Sequence, residues 1–436
     1  MEAKTDIKVL VISHNVFGRE NAMGKTLASM LSLISPGNLS QLYFHTEIPT
    51  VSMCENYFRV TDVDVLRSIY TGKTSYRIFT SDDIKTDAPR SRVDSGFLAK
   101  VYQLARKRTP FIYLMRELLW AVGKWDSAQL RSWIKEQNPD VIFFASGDYT
   151  FSYKIAKHIS DSFNIPIVLY CCDDYYLGRW RKKNPFEAIY YKKLMKCVSA
   201  VSSNTKEIVV ISDKMAEDYR KIFTQPIHTI RIAAKKNPYS LPSHERSGIV
   251  YAGGLGVNRV KPLVELGRAL NAASISGFEY IDVYSNDKKE STLAQLTEEN
   301  GIRFHGGISG AKVPEIIGRA KYLLHVEAFD ETAKARTRYS LSTKIGESLC
   351  SGACLLAYGP KDISSIEYLK RNNSAFILGS AEDFPSAILK LEHDTMIREQ
   401  LIENAQKLAN ECHNKEKNDK LLREIFCKAV TTDKHI

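Results

Sequence analysis

Residues 339–360 read YSLSTKIGESLCSGACLLAYGP. Ser342 and Thr343 are residues that favour a helix N-cap, where a side-chain oxygen takes up an unpaired backbone N–H. Residues 344–351 then read as a short helix with Ile345 and Leu349 on one face, and Gly352 as the residue that closes it. CLLAYG (354–359) follows as an apolar strand of the kind buried on both faces of a parallel sheet, ended by Gly359-Pro360. A helix feeding a buried strand is the unit from which doubly wound α/β folds are built. The start of such a helix presents N–H groups and a positive dipole end, which suit a diphosphate. Glu347 comes one residue too late to close a capping box with Thr343. Its carboxylate is therefore left for vicinal hydroxyls such as those of a ribose.

The alternation continues on both sides. GIVYAGG (248–254), YIDVYSN (280–286), IRFHGG (302–307) and YLLHVEAF (322–329) read as strands, with a helix over residues 261–272. From Glu382 onward the i, i+3, i+4 spacing predicts a helical tail. Nearer the N-terminus, KVLVISH (8–14), QLYFH (41–45), VIFFASG (141–147), IPIVLYCC (165–172) and EIVVIS (207–212) read as strands. Helices are expected near 24–34, 127–137 and 150–162, and from Ser212-Asp213, whereas residues 46–97 are polar and irregular. A Pro- and Ser-rich stretch, AKKNPYSLPSHERS (234–247), separates two similar halves. The 436 residues exceed one ordinary core. They divide into a first Rossmann-like domain (1–236) that would bind the acceptor, a linker (237–247) and a second Rossmann-like domain (248–436) that carries the tail. A ligand cleft is expected between the halves, at the carboxyl ends of the strands.

A charged fraction of 25% beside 44% apolar residues is that of a globular enzyme and excludes a disordered chain. There is no run of about 18 uncharged apolar residues, hence no expected membrane span, and MEAKTDIKVLVIS lacks the layout of a secretory signal. Eight scattered cysteines form no CxxC pair, which fits a reducing cytoplasm and no metal site. The net charge of +11 is concentrated at residues 100–124 and 179–196, where aromatic residues interleave with the cations. That pattern points to peripheral contact with an anionic membrane, at its inner face, rather than to nucleic acid.

GRENAMGKTLAS (18–29) poses a separate question, because Gly-Lys-Thr after a strand resembles a nucleotide phosphate loop. Gly18 and Gly24 enclose five residues, whereas the phosphate loop needs four for its N–H groups to curl around one phosphate. Gly24 is therefore expected to serve close approach of chain and ligand, facing the acceptor. The alternative is an NTPase or kinase with Lys25 and Thr26 at the phosphates and Asp148 or Asp173 for Mg²⁺.

Residues 339–360 resemble the donor site of retaining glycosyltransferases of the GT-B fold, family-four type, where a Ser- or Pro-Lys-x-x-Glu helix lies beside a glycine turn. GIVYAGGLGVNRVKPLVELGRAL (248–270) resembles the opening of that family's second domain, and SDKMAEDYRKIF (212–223) the helix before its linker. The resemblance implies an α/β fold of two Rossmann-like domains facing a cleft. It implies transfer of a sugar, with retention, from a UDP-, GDP- or dTDP-sugar to a hydroxyl of a glycan or lipid-linked acceptor, without metal or other cofactor, in polysaccharide or glycoconjugate biosynthesis. Glu347 would hold the ribose, with Ser342, Thr343 and Lys344 near the diphosphate. Arg259 and Lys261 would balance the leaving diphosphate, with Gly253, Gly254 and Gly256 allowing backbone approach. The family often has a second glutamate eight positions before the first; here that position is Tyr339. Its role would fall to Glu327, Asp330 or Glu331, or be absent, which leaves a non-catalytic nucleotide-sugar-binding protein as a further alternative. On the acceptor side, His14, Asp173 and Asp174 are candidates because each ends a strand.

Overall fold

The structure, a computed structural model, describes residues 6–18, 21–85, 109–177 and 184–431. Two compact units result: one of residues through Ile211 with Met215–Ile230 and those from Asp419, the other of Ser212–Lys214 with Arg231–Asn418. Each is built on one sheet with helices around it.

In the first unit the strands are β1 (Val9–Ser13), β2 (Leu39–Tyr43), β3 (Asn56–Arg59), β4 (Arg77–Thr80), β5 (Val141–Ala145), β6 (Ile167–Cys171), β7 (Thr205–Val210) and β8 (Ile227–Thr229). Their order is β4-β3-β2-β1-β5-β6-β7-β8, and every pairing is parallel except β3 with β4. Strands β5 and β6 are buried along their full length, as their apolar runs VIFFA and IVLYC require of a sheet covered on both faces. The chain winds outward from β1 to one edge and then returns to start the other half at β5, so the topological switch lies between β1 and β5. The carboxyl ends of these two strands are where an open sheet of this kind receives ligands.

In the second unit the strands are β9 (Ser247–Ala252), β10 (Ile281–Tyr284), β11 (Ile302–Gly306), β12 (Ala320–Val326), β13 (Cys354–Tyr358) and β14 (Phe376–Ile377). Their order, β11-β10-β9-β12-β13-β14, is parallel throughout and places the switch between β9 and β12. One core packs Ile249, Tyr251, Ile281 and Val283 against the Val260–Ala273 helix. Another packs Val250, Leu323, Leu355 and Ala357 against Ile345 and Leu349. Alternate residues of each strand feed the two cores, as the period of two dictates.

Several elements differ from the sequence reading. Residues 46–97, read as irregular, contain β3, β4 and the Asp62–Thr71 helix, whose N-terminus is closed by a reciprocal Thr61/Asp64 capping box. The basic stretch at 179–196 runs into an 18-residue helix, Pro185–Ser202. The cationic aromatic stretch includes the Pro110–Val122 helix; the part of it within residues 86–108 lies outside the described residues. The last helix, Lys415–Thr431, falls by sequence in the second half. Its Leu422, Ile425, Phe426 and Ala429 instead enter the core of the first unit with Val9, Val11 and Phe143. The expected span of the second domain, to residue 436, thus differs from the compact unit, which ends at Asn418.

Candidate donor site at the switch of the second sheet

The carboxyl ends of β9 and β12 border a cavity of about 210 Å³. Among its lining residues are Gly253, Gly254, Arg259, His325, Glu327, Ser342, Lys344 and Glu347. A second cavity of about 250 Å³ shares Gly253, Gly254 and Lys344 with it and extends past Ser285, Asn286 and Ile308. Two spaces that meet at a glycine turn and a lysine would suit a ligand with a polar joint in its middle.

The turn after β9 carries much of this geometry. A Cβ at Gly253 would meet the Tyr251 hydroxyl at 2.6 Å, whereas one at Gly254 would meet nothing within 4 Å. Tyr251 in turn donates its O–H to the Gly254 carbonyl at 2.7 Å. Gly253 is thus explained by internal packing, while Gly254 presents bare backbone to both cavities. Val257 and Asn258 then adopt consecutive left-handed conformations, with φ of +57° and +59°. That is costly for a β-branched residue, and it delivers Arg259 to the head of the following helix.

Arg259 meets Glu327 in a two-point ion pair, its Nε donating to Oε2 at 3.2 Å and its Nη2 to Oε1 at 3.0 Å. Glu327 is 2% exposed. Burial works to lower the guanidinium pKa, but Glu327 beside it outweighs that, so the arginine is held above its ordinary value. His325, two residues earlier on β12 and therefore on the same face, places Nε2 3.8 Å from Glu327 Oε1. That nitrogen is buried and without a hydrogen-bond partner. Burial holds the imidazole below the usual histidine value, with Glu327 pulling it up and Arg259 pushing it down. The sequence reading missed His325; the H-V-E alternation of LLHVEAF was the available signal.

Ser342 is the N-cap of the Thr343–Leu349 helix and accepts from the Lys344 backbone N–H at 3.4 Å. Lys344 Nζ donates to the carbonyl of Ala252, the last residue of β9, at 3.2 Å, which draws the lysine across the mouth of the glycine turn. Desolvation lowers the Lys344 pKa, with Glu347 opposing and Arg259 adding to the shift. Desolvation likewise raises that of Glu347, with Lys344 opposing. The site therefore gathers Arg259 and Lys344, the His325 imidazole and the carboxylates of Glu327 and Glu347.

Of the residues expected at the donor, Arg259, Lys344, Glu327, Gly253, Gly254, Ser342 and Glu347 come together here. Lys261, Gly256 and Thr343 do not line either cavity. Among the acids considered for the vacant position eight before Glu347, Asp330 caps the helix that follows it, accepting from Ala333 N. Glu331 is exposed and paired with Lys334. Only Glu327 of the three lines the cavity, and its charge is engaged by Arg259. Tyr339 is buried, with its carbonyl accepting from Ser212 Oγ.

The remaining expected residues lie in the first unit. His14 follows β1 and packs against Tyr149, after β5, with ring centroids 4.6 Å apart, and against His45 at 5.5 Å. These rings stand at the switch point of that sheet. Asp173 is exposed and accepts from its neighbour's N–H. Asp174 is a turn-former, accepting from Tyr176 N, Leu177 N and the Tyr219 hydroxyl.

Gly24 is buried, and a Cβ there would collide with the Val16 carbonyl. Packing alone thus accounts for that glycine. Asn21 caps the helix through the Gly24 N–H, and Glu47 accepts from Asn21 Nδ2 at 2.7 Å. Burial raises the Glu47 pKa, but hydrogen bonds and charge from His45, with bonds from Asn15 and Asn21, hold it below the usual value. A carboxylate behind the cap is the opposite of a phosphate cradle. Among the described residues no three His, Cys, Asp or Glu side chains are placed to hold a metal ion. All eight cysteines are free, and no described helix is long and apolar enough to cross a membrane.

Comparison with known proteins agrees with this architecture. The profile of Glycosyltransferase Family 4 matches residues 78–232. No curated protein matches the sequence. Among solved structures, HepE of Anabaena in complex with UDP aligns with a TM-score of 0.61 at 12% identity, over 96% of this chain and 99% of that one. Sucrose-phosphate synthase of Thermosynechococcus elongatus aligns with a TM-score of 0.59 at 11% identity, over 98% and 100%. A glycosyltransferase of Rickettsia africae aligns with a TM-score of 0.57 at 13% identity, over 98% and 99%. The chain has the GT-B glycosyltransferase fold over essentially its whole length.

Proposed function

We propose that the protein is a glycosyltransferase that binds a nucleotide-sugar donor in the cavity of the second unit and transfers the sugar to a hydroxyl of a glycan or lipid-linked acceptor. One observation carries the reading: Arg259, Lys344 and Glu347 converge on a cavity at the switch point of the second sheet, where the fold places ligands. HepE, of the same fold, holds UDP and UDP-glucose, which makes a uridine donor the first to test.

The chemistry follows from the charges. The anomeric C–O bond breaks, its electron pair leaves on the diphosphate oxygen, and the acceptor oxygen forms the new bond and loses its proton. Negative charge grows on the diphosphate in the transition state. Arg259, fixed by Glu327, and Lys344, fixed by the Ala252 carbonyl, meet that charge without having to reorient. Pre-oriented donors of this kind are worth about 3–4 kcal/mol each. Two side-chain cations supply this stabilisation without a metal. Glu347, one turn after Lys344, would accept from the ribose hydroxyls. The expectation of retention rests on the family resemblance, and the anomeric configuration of product formed from a sugar donor of known configuration decides it. His14 and Tyr149, at the switch of the first sheet, are the acceptor-side candidates.

The test is thermal stabilisation by UDP-, GDP- and dTDP-sugars, followed by release of nucleoside diphosphate. A ligand at about a hundred times its dissociation constant adds roughly 2.7 kcal/mol. Binding that is lost in Glu347→Ala and turnover lost in Arg259→Ala are the expected results. Binding without turnover in the presence of acceptor extracts would favour a non-catalytic protein. No stabilisation by any nucleotide sugar would end the proposal.

A further inference from the structure

The Pro110–Val122 helix, PFIYLMRELLWAV, has only two charged residues, and both are turned inward. Arg116 donates to Asp62 at 2.8 Å and lies over the Tyr149 ring at 4.2 Å. Glu117 is buried and paired with Lys154 and Lys193. Trp120 donates to Asp62 and stacks on Phe151 at 4.1 Å. With its inner side so fully engaged, the helix still leaves Phe111, Met115, Leu118 and Val122 outward, 60, 50, 56 and 61% exposed. Their spacing of four, three and four residues puts them on one narrow row about 16 Å long. No charge interrupts it.

The neighbouring Pro185–Ser202 helix extends this surface. It is joined to the first by the Glu117–Lys193 pair and by Tyr113 stacked on Tyr190 at 5.0 Å. It presents Phe186 and Ile189 outward, and its exposed Lys192, Lys193 and Lys196 follow one turn later. A charge-free apolar row beside a lysine cluster matches the two layers of an anionic bilayer surface, acyl chains below and headgroup phosphates at the level of the cations. A second copy of this chain fits poorly, because a symmetric seam would bring the same lysines against one another in a protein whose net charge is already +11.

We infer that these two helices form a membrane-resting face that docks on anionic lipid bilayers. The Pro110–Val122 helix also links that face to the candidate acceptor side. Tyr113 donates to Asp148 at 2.9 Å, and Tyr149, beneath Arg116, packs on His14. One helix therefore touches the bilayer with its outer row and the carboxyl edge of the first sheet with its inner one. An acceptor carried by a lipid would meet the protein at that edge. Only this last step rests on the proposed transferase activity; vesicle binding does not.

The test is co-sedimentation of the full chain with phosphatidylcholine vesicles, with and without roughly one-third phosphatidylglycerol, at low and high salt. Binding to the anionic vesicles that weakens with salt is expected. Lys192→Gln and Lys196→Gln should each weaken partitioning about fivefold. Phe111→Ser with Leu118→Ser should weaken it at least about tenfold. All four residues are exposed, so circular dichroism and the unfolding temperature should stay unchanged in these variants. Absence of binding to anionic vesicles, or binding indifferent to both sets of variants, would overturn the inference. So would a dimer in light scattering that Phe111→Ser with Leu118→Ser splits, since the row would then belong to a second copy. Vesicle binding in a protein that fails every donor test would uphold the surface and sink the activity separately.

Discussion

Replacing Arg259 by alanine tests the donor site most sharply, but not by activity alone. Glu327 is 2% exposed and receives two hydrogen bonds from this guanidinium, at 3.0 and 3.2 Å. Removing the arginine strands a buried carboxylate, which costs about 3–5 kcal/mol. His325, with Nε2 3.8 Å away, offers partial relief, so the lower end, about 3 kcal/mol, is expected. In a unit of this size that lowers the unfolding temperature by roughly 6–12 °C. Arg259→Ala is thus a poor variant by itself, because lost turnover and lost stability arrive together. The double variant Arg259→Ala with Glu327→Gln separates them, since it leaves no buried charge. It should regain most of the lost stability while turnover stays about 10²–10³-fold down, the loss expected for one pre-oriented donor. Glu327→Gln alone keeps the cation but loosens it, and should fall between the two in turnover. Differential scanning calorimetry and nucleoside diphosphate release measure both quantities on the same samples. If the double variant turns over like wild type, Arg259 does not hold the leaving group. If it is no more stable than Arg259→Ala, the ion pair is not what that substitution breaks.

Three other outcomes are expected. Donor affinity should fall on its acid side at a pH above the ordinary carboxylate range, because desolvation raises the Glu347 pKa; titrations of wild type and Glu347→Gln should differ in that limb, and identical limbs would remove Glu347 from the site. His413 is buried, bonded to the Ile232 carbonyl and facing the Tyr368 hydroxyl, and burial lowers its pKa from 6.5 to about 4. The unfolded state therefore binds the proton first, so the stabilising contribution is complete above pH 6.5 and is lost as pH falls toward 4. The loss reaches about 3 kcal/mol, and urea melts of His413→Gln should show a flatter acid profile over that window. Lys25 is an exposed residue of the Ala22–Met30 helix, whose N-terminus is already capped by Asn21, so Lys25→Ala should leave donor affinity unchanged; Mg²⁺-dependent ATP hydrolysis abolished by this substitution would revive the phosphate-loop reading.

What was legible in the sequence is what short-range physics determines. Buried parallel strands announce themselves as uninterrupted apolar runs, and VIFFA, IVLYC and CLLAY lie where those runs are. Lys344 and Glu347 could be paired from spacing alone, because three residues on a helix is one turn. The same logic fails where the partner is distant. Nothing local tells that Glu327 belongs to Arg259, 68 positions away, and so the acid looked like a candidate for touching sugar when its charge is spent on orienting a cation. Strand β4 went unread because it is the edge strand, largely exposed and polar, and β3 because it is only four residues long, with Asn56 and Arg59 at its ends. The closing helix reads as part of the second half because it follows it in sequence; its apolar stripe, Leu422, Ile425, Phe426 and Ala429, packs instead with Val9, Val11 and Phe143.

The glycines make the same point in miniature. Gly24, at the start of the helix after β1, and Gly254, in the turn after β9, both follow a strand, and the sequence assigns both to a ligand. Testing each for what a side chain would strike separates them. At Gly24 it strikes the chain itself, at the Val16 carbonyl; at Gly254 it strikes nothing and projects where two cavities meet. Alanine at Gly24 should therefore destabilise the first unit without altering donor affinity. Alanine at Gly254 should leave stability nearly intact and weaken donor binding, because only the ligand would occupy the space it fills. Weakened binding in neither, or in Gly24→Ala alone, would move the donor away from the turn after β9, and the two cations with it.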